Sequence, residues 1–154
     1  MFANAKVTPA TVNDVVASAG FTADIDFLSI DIDGNDYWVW EALTAVDPRV
    51  VLIETHPELG HRSPRSICRG PDTRPRGASS FLGASPAAMT VLAARRGYRL
   101  VAANRFGVNL FYVREDLAAP TMPAIRPDDL FRHPREKARV LPGSALAGVP
   151  FIEP

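Results

Sequence analysis

The chain has 154 residues, 47% of them hydrophobic and 22% charged, which is enough apolar material for one ordinary domain with its own core. Seventeen Lys and Arg balance seventeen Asp and Glu, so no global field singles out nucleic acid or an anionic membrane as partner. A lone cysteine, Cys68, excludes an intrachain disulfide and any zinc site built on several thiolates.

No apolar run comes near the roughly 18 residues of a membrane span. The opening MFANAKVTPATVND has no apolar stretch of the secretory kind. The expectation is a cytoplasmic protein that touches neither membrane nor nucleic acid.

Thr8-Pro9 reads as a helix start, a hydroxyl cap followed by Pro where its missing N–H costs nothing. Val12, Val15, Val16 and Ala19 recur at helical spacing, and Gly20 supplies the stop. Residues 24–32 read as a strand. Because Ile25, Phe27, Leu28, Ile30 and Ile32 are nearly continuous, it reads as a buried one. It ends in Asp31-Ile32-Asp33-Gly34-Asn35-Asp36, which turns straight into an amphipathic helix over 36–46 bearing Trp38 and Trp40. Pro48 leads into a second buried strand over 49–54.

Residues 55–80 hold four prolines and five arginines without a period, a long loop of the kind that is functional or disordered. Ser85-Pro86 repeats the cap-and-Pro device and starts a helix through Arg96, closed by Gly97. Residues 98–103 and 108–114 are strands joined by the hairpin turn Asn104-Arg105-Phe106-Gly107. Seven prolines follow Asp116, so residues 118–154 form a Pro-rich, mostly irregular tail, with one helical turn near 127–131, behind a unit spanning 1–117. Strand–helix–strand units demand a parallel sheet with right-handed crossovers, and the closing hairpin adds one antiparallel strand. The fold class is α/β.

This element order resembles the second half of a class I S-adenosylmethionine-dependent methyltransferase, whose seventh strand inserts antiparallel between the fifth and sixth. At residue level Leu28-Ser29-Ile30-Asp31-Ile32-Asp33-Gly34-Asn35-Asp36 is similar to the FkbM-type hallmark L-K-I-D-V-E-G-x-E with acidic swaps. Val50–Glu54, Gly83-Ala84-Ser85, Arg96-Gly97-Tyr98, and Gly107-Val108-Asn109 through Phe111-Tyr112-Val113-Arg114 also look like segments of that family. The resemblance covers about residues 7–117. It departs at Thr55-His56, where relatives tend to carry Tyr-Asn, and at Ser80-Phe81-Leu82, where they tend to carry His-Tyr.

The resemblance implies an incomplete Rossmann-like fold with strands in spatial order 24–32, 49–55, 108–114, 98–103, only the third antiparallel. It implies transfer of a methyl group from S-adenosylmethionine to a hydroxyl of a small-molecule or glycan acceptor. In the family a Gly-rich turn after the first strand and an acid ending the second hold the cofactor. Neither precedes residue 24, so the chain is expected to lack the cofactor-binding half and to be inactive by itself.

Carboxylates collect where ligands bind in open α/β sheets, at the carboxyl ends of the strands. Asp31, Asp33 and Asp36 would floor a pocket there, holding a substrate hydroxyl, a divalent cation or, for Asp31, the sulfonium side of the cofactor. The structural alternative is that Asp36 or Asn35 caps the following helix and Asp33 makes an Asx turn. Glu54 and His56 end the neighbouring strand. With Asp33 they are the candidate catalytic residues, a general base included, while Asp31, Asp33 and Glu54 are the candidate metal ligands.

Elsewhere the expectations are plainer. Glu58, His61 and His133 read as exposed, and Cys68 as an inert thiol. Arg62, Arg65, Arg69, Arg74 and Arg76 form either a cationic flap for an anionic substrate or a disordered segment. One of Trp38 and Trp40 is expected in the core, and the other either in the core as well or lining a pocket or interface.

Two rival readings remain. Phe27–Gly34 also fits the Asp-x-Asp-Gly motif of haloacid-dehalogenase-type phosphatases, though Asn35 stands for the usual Thr and no downstream Lys motif is evident. A non-catalytic remnant or interaction module is the other. Finally, the strand at 24–32 has no Lys, Pro or bulge to protect an edge, so self-association through it is expected wherever that edge is unpaired.

Overall fold

The computed structural model describes residues 4–67, 83–118, 121–130, 140–141, 146 and 151–153. Its elements are α1 (Val12–Ser18), β1 (Ala23–Ile30), α2 (Asp36–Ala42), β2 (Val46–Glu54), a 3-10 turn at Pro57–Leu59, β3 (Ser66–Ile67), α3 (Pro86–Arg95), β4 (Tyr98–Ala103), β5 (Asn109–Arg114), α4 (Pro127–Leu130) and β6 (Phe151–Ile152).

Four strands form one open sheet in the order β1-β2-β5-β4. β1 and β2 are parallel, and β5 lies antiparallel to both β2 and β4. This is the order expected from the crossover units and the hairpin. The hairpin closes as expected too: Gly107 takes a positive φ of 68° and its N–H donates to the Asn104 carbonyl at 3.0 Å.

Register settles which side chains share a face. Leu28, Val51, Tyr112 and Leu100 stand in one row across the sheet, and Ile30, Ile53, Leu110 and Ala103 in the next. These rows face the helices and pack with Val12, Trp40, Leu43, Met89 and Leu92 in a single core. Trp40 is fully buried against Tyr98 and Tyr112, its ring centre 5.6 and 5.3 Å from theirs. Trp38 is buried as well, and both tryptophans belong to the core.

Among the boundaries that differ from the sequence expectation, three have a traceable reason. α1 starts at Val12 because Thr8 and Pro9 form a turn ahead of it, in which the Thr8 carbonyl accepts from both Thr11 and Val12 N–H. α2 stops at Ala42 because distant side chains satisfy its open end. Arg96 donates to the carbonyls of Glu41 and Leu43 at 3.1 and 2.7 Å, and Asn13 donates to that of Ala42 at 2.9 Å. The Asn13 amide oxygen also accepts from Thr44 and Ala45 N–H, which frees the chain to start β2 at Val46.

The expectation that β1 is a buried strand is corrected. Only Ile30 is buried, and Phe27 is 52% exposed, because among the described residues β1 pairs with β2 alone and its second face is only partly covered. The described residues beyond 118 make several contacts with the rest of the chain. Alongside the expected turn, α4, Ile125 N–H donates to the Leu100 carbonyl on the outer edge of β4, and β6 pairs with β3 in a small second sheet. No helix among the described residues is long and apolar enough to cross a membrane. Cys68, Arg69, Arg74, Arg76 and His133 lie outside the described residues.

Candidate functional site

β1 and β2 run parallel with Ile30 beside Ile53, so both strands deliver their following residues to the same end of the sheet. Beyond β1 the chain reverses through Asp33 and Gly34, both left-handed, with φ of 51° and 102°. The Asp36 carboxylate fastens this turn, accepting from Ile32 N–H at 3.0 Å and from Gly34 N–H at 3.1 Å. Asp36 is fully buried, and burial raises its pKa despite those bonds. Its part is to hold the loop. The turn contacts expected of Asp33 are thus made by Asp36, and Asn35 makes no side-chain cap.

Glu54 closes β2 half-buried. Burial first, then the fields of Asp31, Asp36, Asp33 and Glu58, push its pKa up to about 7. Two residues on, His56 is 6% exposed. Burial lowers its pKa, against the opposing pull of Glu58, Asp36, Asp33 and Asp31. The same carboxylates act on both groups, which places Asp31, Asp33, Glu54 and His56 at one end of the sheet. Among the described residues neither Glu54 Oε2 nor His56 Nε2, both buried, has a hydrogen-bond partner. A buried polar atom left open in this way is costly and needs an explanation.

The surrounding loops hold these two residues in place. Thr55 N–H and Oγ1 both donate to the Val108 carbonyl, at 2.7 and 3.0 Å, and His56 N–H donates to that of Ala84 at 2.8 Å. Gly83 has no Cβ to occupy the space beside the imidazole; one would lie 2.5 Å from His56 Cδ2 and 3.4 Å from Gly34 Cα. The imidazole edge therefore packs directly against the Gly83 backbone. Ser85, also buried, caps α3 through Ala88 N–H at 3.1 Å while accepting from Arg65 N–H and donating to the Ser63 carbonyl. Gly83 and Thr55 were not singled out as site residues from the sequence. The Gly-Ala-Ser run ahead of a capped helix was the signal available for the first.

The metal expectation fares differently. Among the described residues no group of three or more His, Cys, Asp and Glu is arranged to hold a metal ion. Asp31 is exposed at the strand end, and Asp33 lies beyond it on the left-handed turn. His61 and Arg62 turn to another partner, Asp128, each at 3.3 Å, and line a separate cavity of about 310 Å³ with Arg65 and Leu141. No family model, curated protein or solved structure matches this chain.

Proposed function

We propose that this chain is the acceptor-side half of a class I S-adenosylmethionine-dependent methyltransferase fold of the FkbM type, acting on a hydroxyl of a small molecule or glycan. The observation that carries the reading is the position of β5, antiparallel between β2 and β4. That insertion is the arrangement the resemblance implies for the last strands of such an enzyme.

The strand-end residues suit the chemistry. Carboxylates at Asp31 and Asp33 favour a sulfonium cation, and the open atoms of Glu54 and His56 suit a polar acceptor. Bound there, the cofactor would supply an electrophilic methyl group, with Asp31 on its sulfonium side. Glu54, with a pKa of about 7, divides between its ionised and protonated forms near neutral pH, which is where a general base works best. Its carboxylate takes the proton that the acceptor oxygen sheds as the new C–O bond forms. His56, held neutral by burial, offers Nε2 to orient that hydroxyl. Asp33 adds negative charge that keeps the Glu54 proton affinity high.

The phosphatase reading calls for a downstream lysine. Of the two in the chain, Lys6 precedes the motif and Lys137 lies outside the described residues.

A direct test fuses the chain behind the cofactor-binding half of an FkbM-type enzyme. S-adenosylmethionine binding is expected to be restored, and methyl transfer to hydroxyl acceptors to fall at least about 100-fold in Glu54→Gln, the scale of a lost general base. A fusion that binds the cofactor yet transfers equally well with and without that substitution would overturn the role of Glu54. A folded fusion that binds no cofactor would overturn the fold assignment.

A further inference from the structure

The two edges of the main sheet are treated differently. On the β4 side, Ile125 N–H donates to the Leu100 carbonyl, so the segment at 121–126 engages that edge at Leu100. On the β1 side no described residue pairs with the strand. β1 is 8 residues long and carries neither Lys nor Pro. Its pairing with β2 keeps one offset from Ala23↔Val46 to Ile30↔Ile53, whereas the β4/β5 pairing breaks register between Leu100 and Ala102. It thus lacks the Lys, Pro and bulge devices that deter edge-to-edge pairing.

Its two acids could have served as a deterrent, but the chain compensates both. Asp24 pairs with Arg114 at 2.7 Å and Asp26 with Arg49 at 3.3 Å. The other face of the strand carries Ala23, Ile25, Phe27 and Ser29 and no charge. Phe27 is 52% exposed, and it stands in register with Val50 and, through β2, with Val113.

We propose that the β1 edge is a self-association surface, on which a second copy of this chain pairs antiparallel about a two-fold axis through Phe27. In that register Phe27 faces its own counterpart, Ile25 faces Ser29, Asp26 faces Leu28 and Asp24 faces Ile30, so no acid opposes an acid. Moving the axis to Asp26 would set that carboxylate against itself, which is destabilising. A pair centred on Phe27 continues the row Val113, Val50, Phe27 into the same row of the other copy and covers both phenyl rings. This self-complementarity is why a second copy, and not an unrelated strand, is the occupant. The inference does not depend on the methyltransferase reading.

Light scattering on the whole chain at about 100 μM, where exposed strands associate, should return about twice the protomer mass of 16.7 kDa. Phe27→Asp should return the protomer mass with unchanged circular dichroism, since that side chain lies outside the core. Register is read in a Cys68→Ser background. Phe27→Cys should cross-link on mild oxidation because directly opposed Cβ atoms stand within about 5.5 Å. Ser29→Cys, whose partner is Ile25, should not. A protomer-mass species at that concentration would overturn the proposal, whatever else occupies the edge in a larger assembly. So would cross-linking through Ser29→Cys in place of Phe27→Cys.

Discussion

Gly83 and His56 fit together so closely that a Cβ on Gly83 would stand 2.5 Å from Cδ2 and 2.8 Å from Nε2 of the imidazole. Real Cβ contacts do not come that close, and the Gly34 backbone, 3.4 Å from the same point, is a further tight neighbour.

Gly83→Ala is therefore expected to displace the His56 ring and to cost about 1–3 kcal/mol, the usual range for overpacking. Urea denaturation gives the loss. A His56 ring signal that titrates nearer its ordinary value in the variant would show the ring driven out of its buried setting. An unchanged ring and unchanged midpoint would contradict the geometry.

The stability of the chain should depend on pH through Glu54. The folded form holds its pKa at about 7, above the ordinary 4.5, so between those values the folded chain keeps a proton that the unfolded chain has released. That contribution is fully present on the acid side and is lost as pH rises through about 7. Glu54→Gln keeps the shape without the charge and should lack that loss. His56 works in the opposite sense: burial lowers its pKa below the ordinary 6.5, so its share of stability falls as pH drops below that value. Denaturation midpoints of the wild type, Glu54→Gln and His56→Gln from about pH 5 to about pH 8 separate the two slopes. Parallel curves for all three would contradict the assignment.

Arg96 joins α3, whose end it caps, to α2. Its guanidinium donates to two carbonyls at the end of α2 and lies 6.0 Å from the centre of the Trp40 ring. Arg96→Ala should cost about 1.5–3 kcal/mol, the range for hydrogen bonds from a charged donor. Arg96→Lys should recover only part of this, since an ammonium cannot span both carbonyls as a planar fork does. Chemical denaturation of the pair of variants checks the order.

The 154-residue chain alone should bind S-adenosylmethionine too weakly for calorimetry to detect. None of its described strands leads into the Gly-rich turn that the resemblance assigns to cofactor binding. Micromolar affinity would mean that another segment makes the site.

Much of the architecture was legible in the residues because its signals are local. Ser85-Pro86 caps α3 within one turn, Asn104 to Gly107 closes the hairpin within four residues, and the parallel pairing of β1 with β2 follows from the crossover helix between them. The acidic run after β1 was likewise legible, and the parallel pairing carries it to the same end of the sheet as Glu54 and His56. What escaped were relationships between residues far apart along the chain. The end of α2 is set by Asn13 and Arg96, one on each side of it in sequence. β3 finds β6 across more than eighty residues. The exposure of β1 depends on what lies beside it, since an apolar run reads alike in a central strand and at an edge. The division of labour among the acids also waited for the fold. Asp31, Asp33, Asp36 and Glu54 are chemically equivalent carboxylates in the sequence. Burial and backbone N–H groups made Asp36 a clasp for the turn, while burial and like charge made Glu54 a group that titrates near neutrality. Side-chain period and caps are properties of neighbours along the chain, and they determined the elements; desolvation and charge proximity are properties of neighbours in space, and only the tertiary structure decided them.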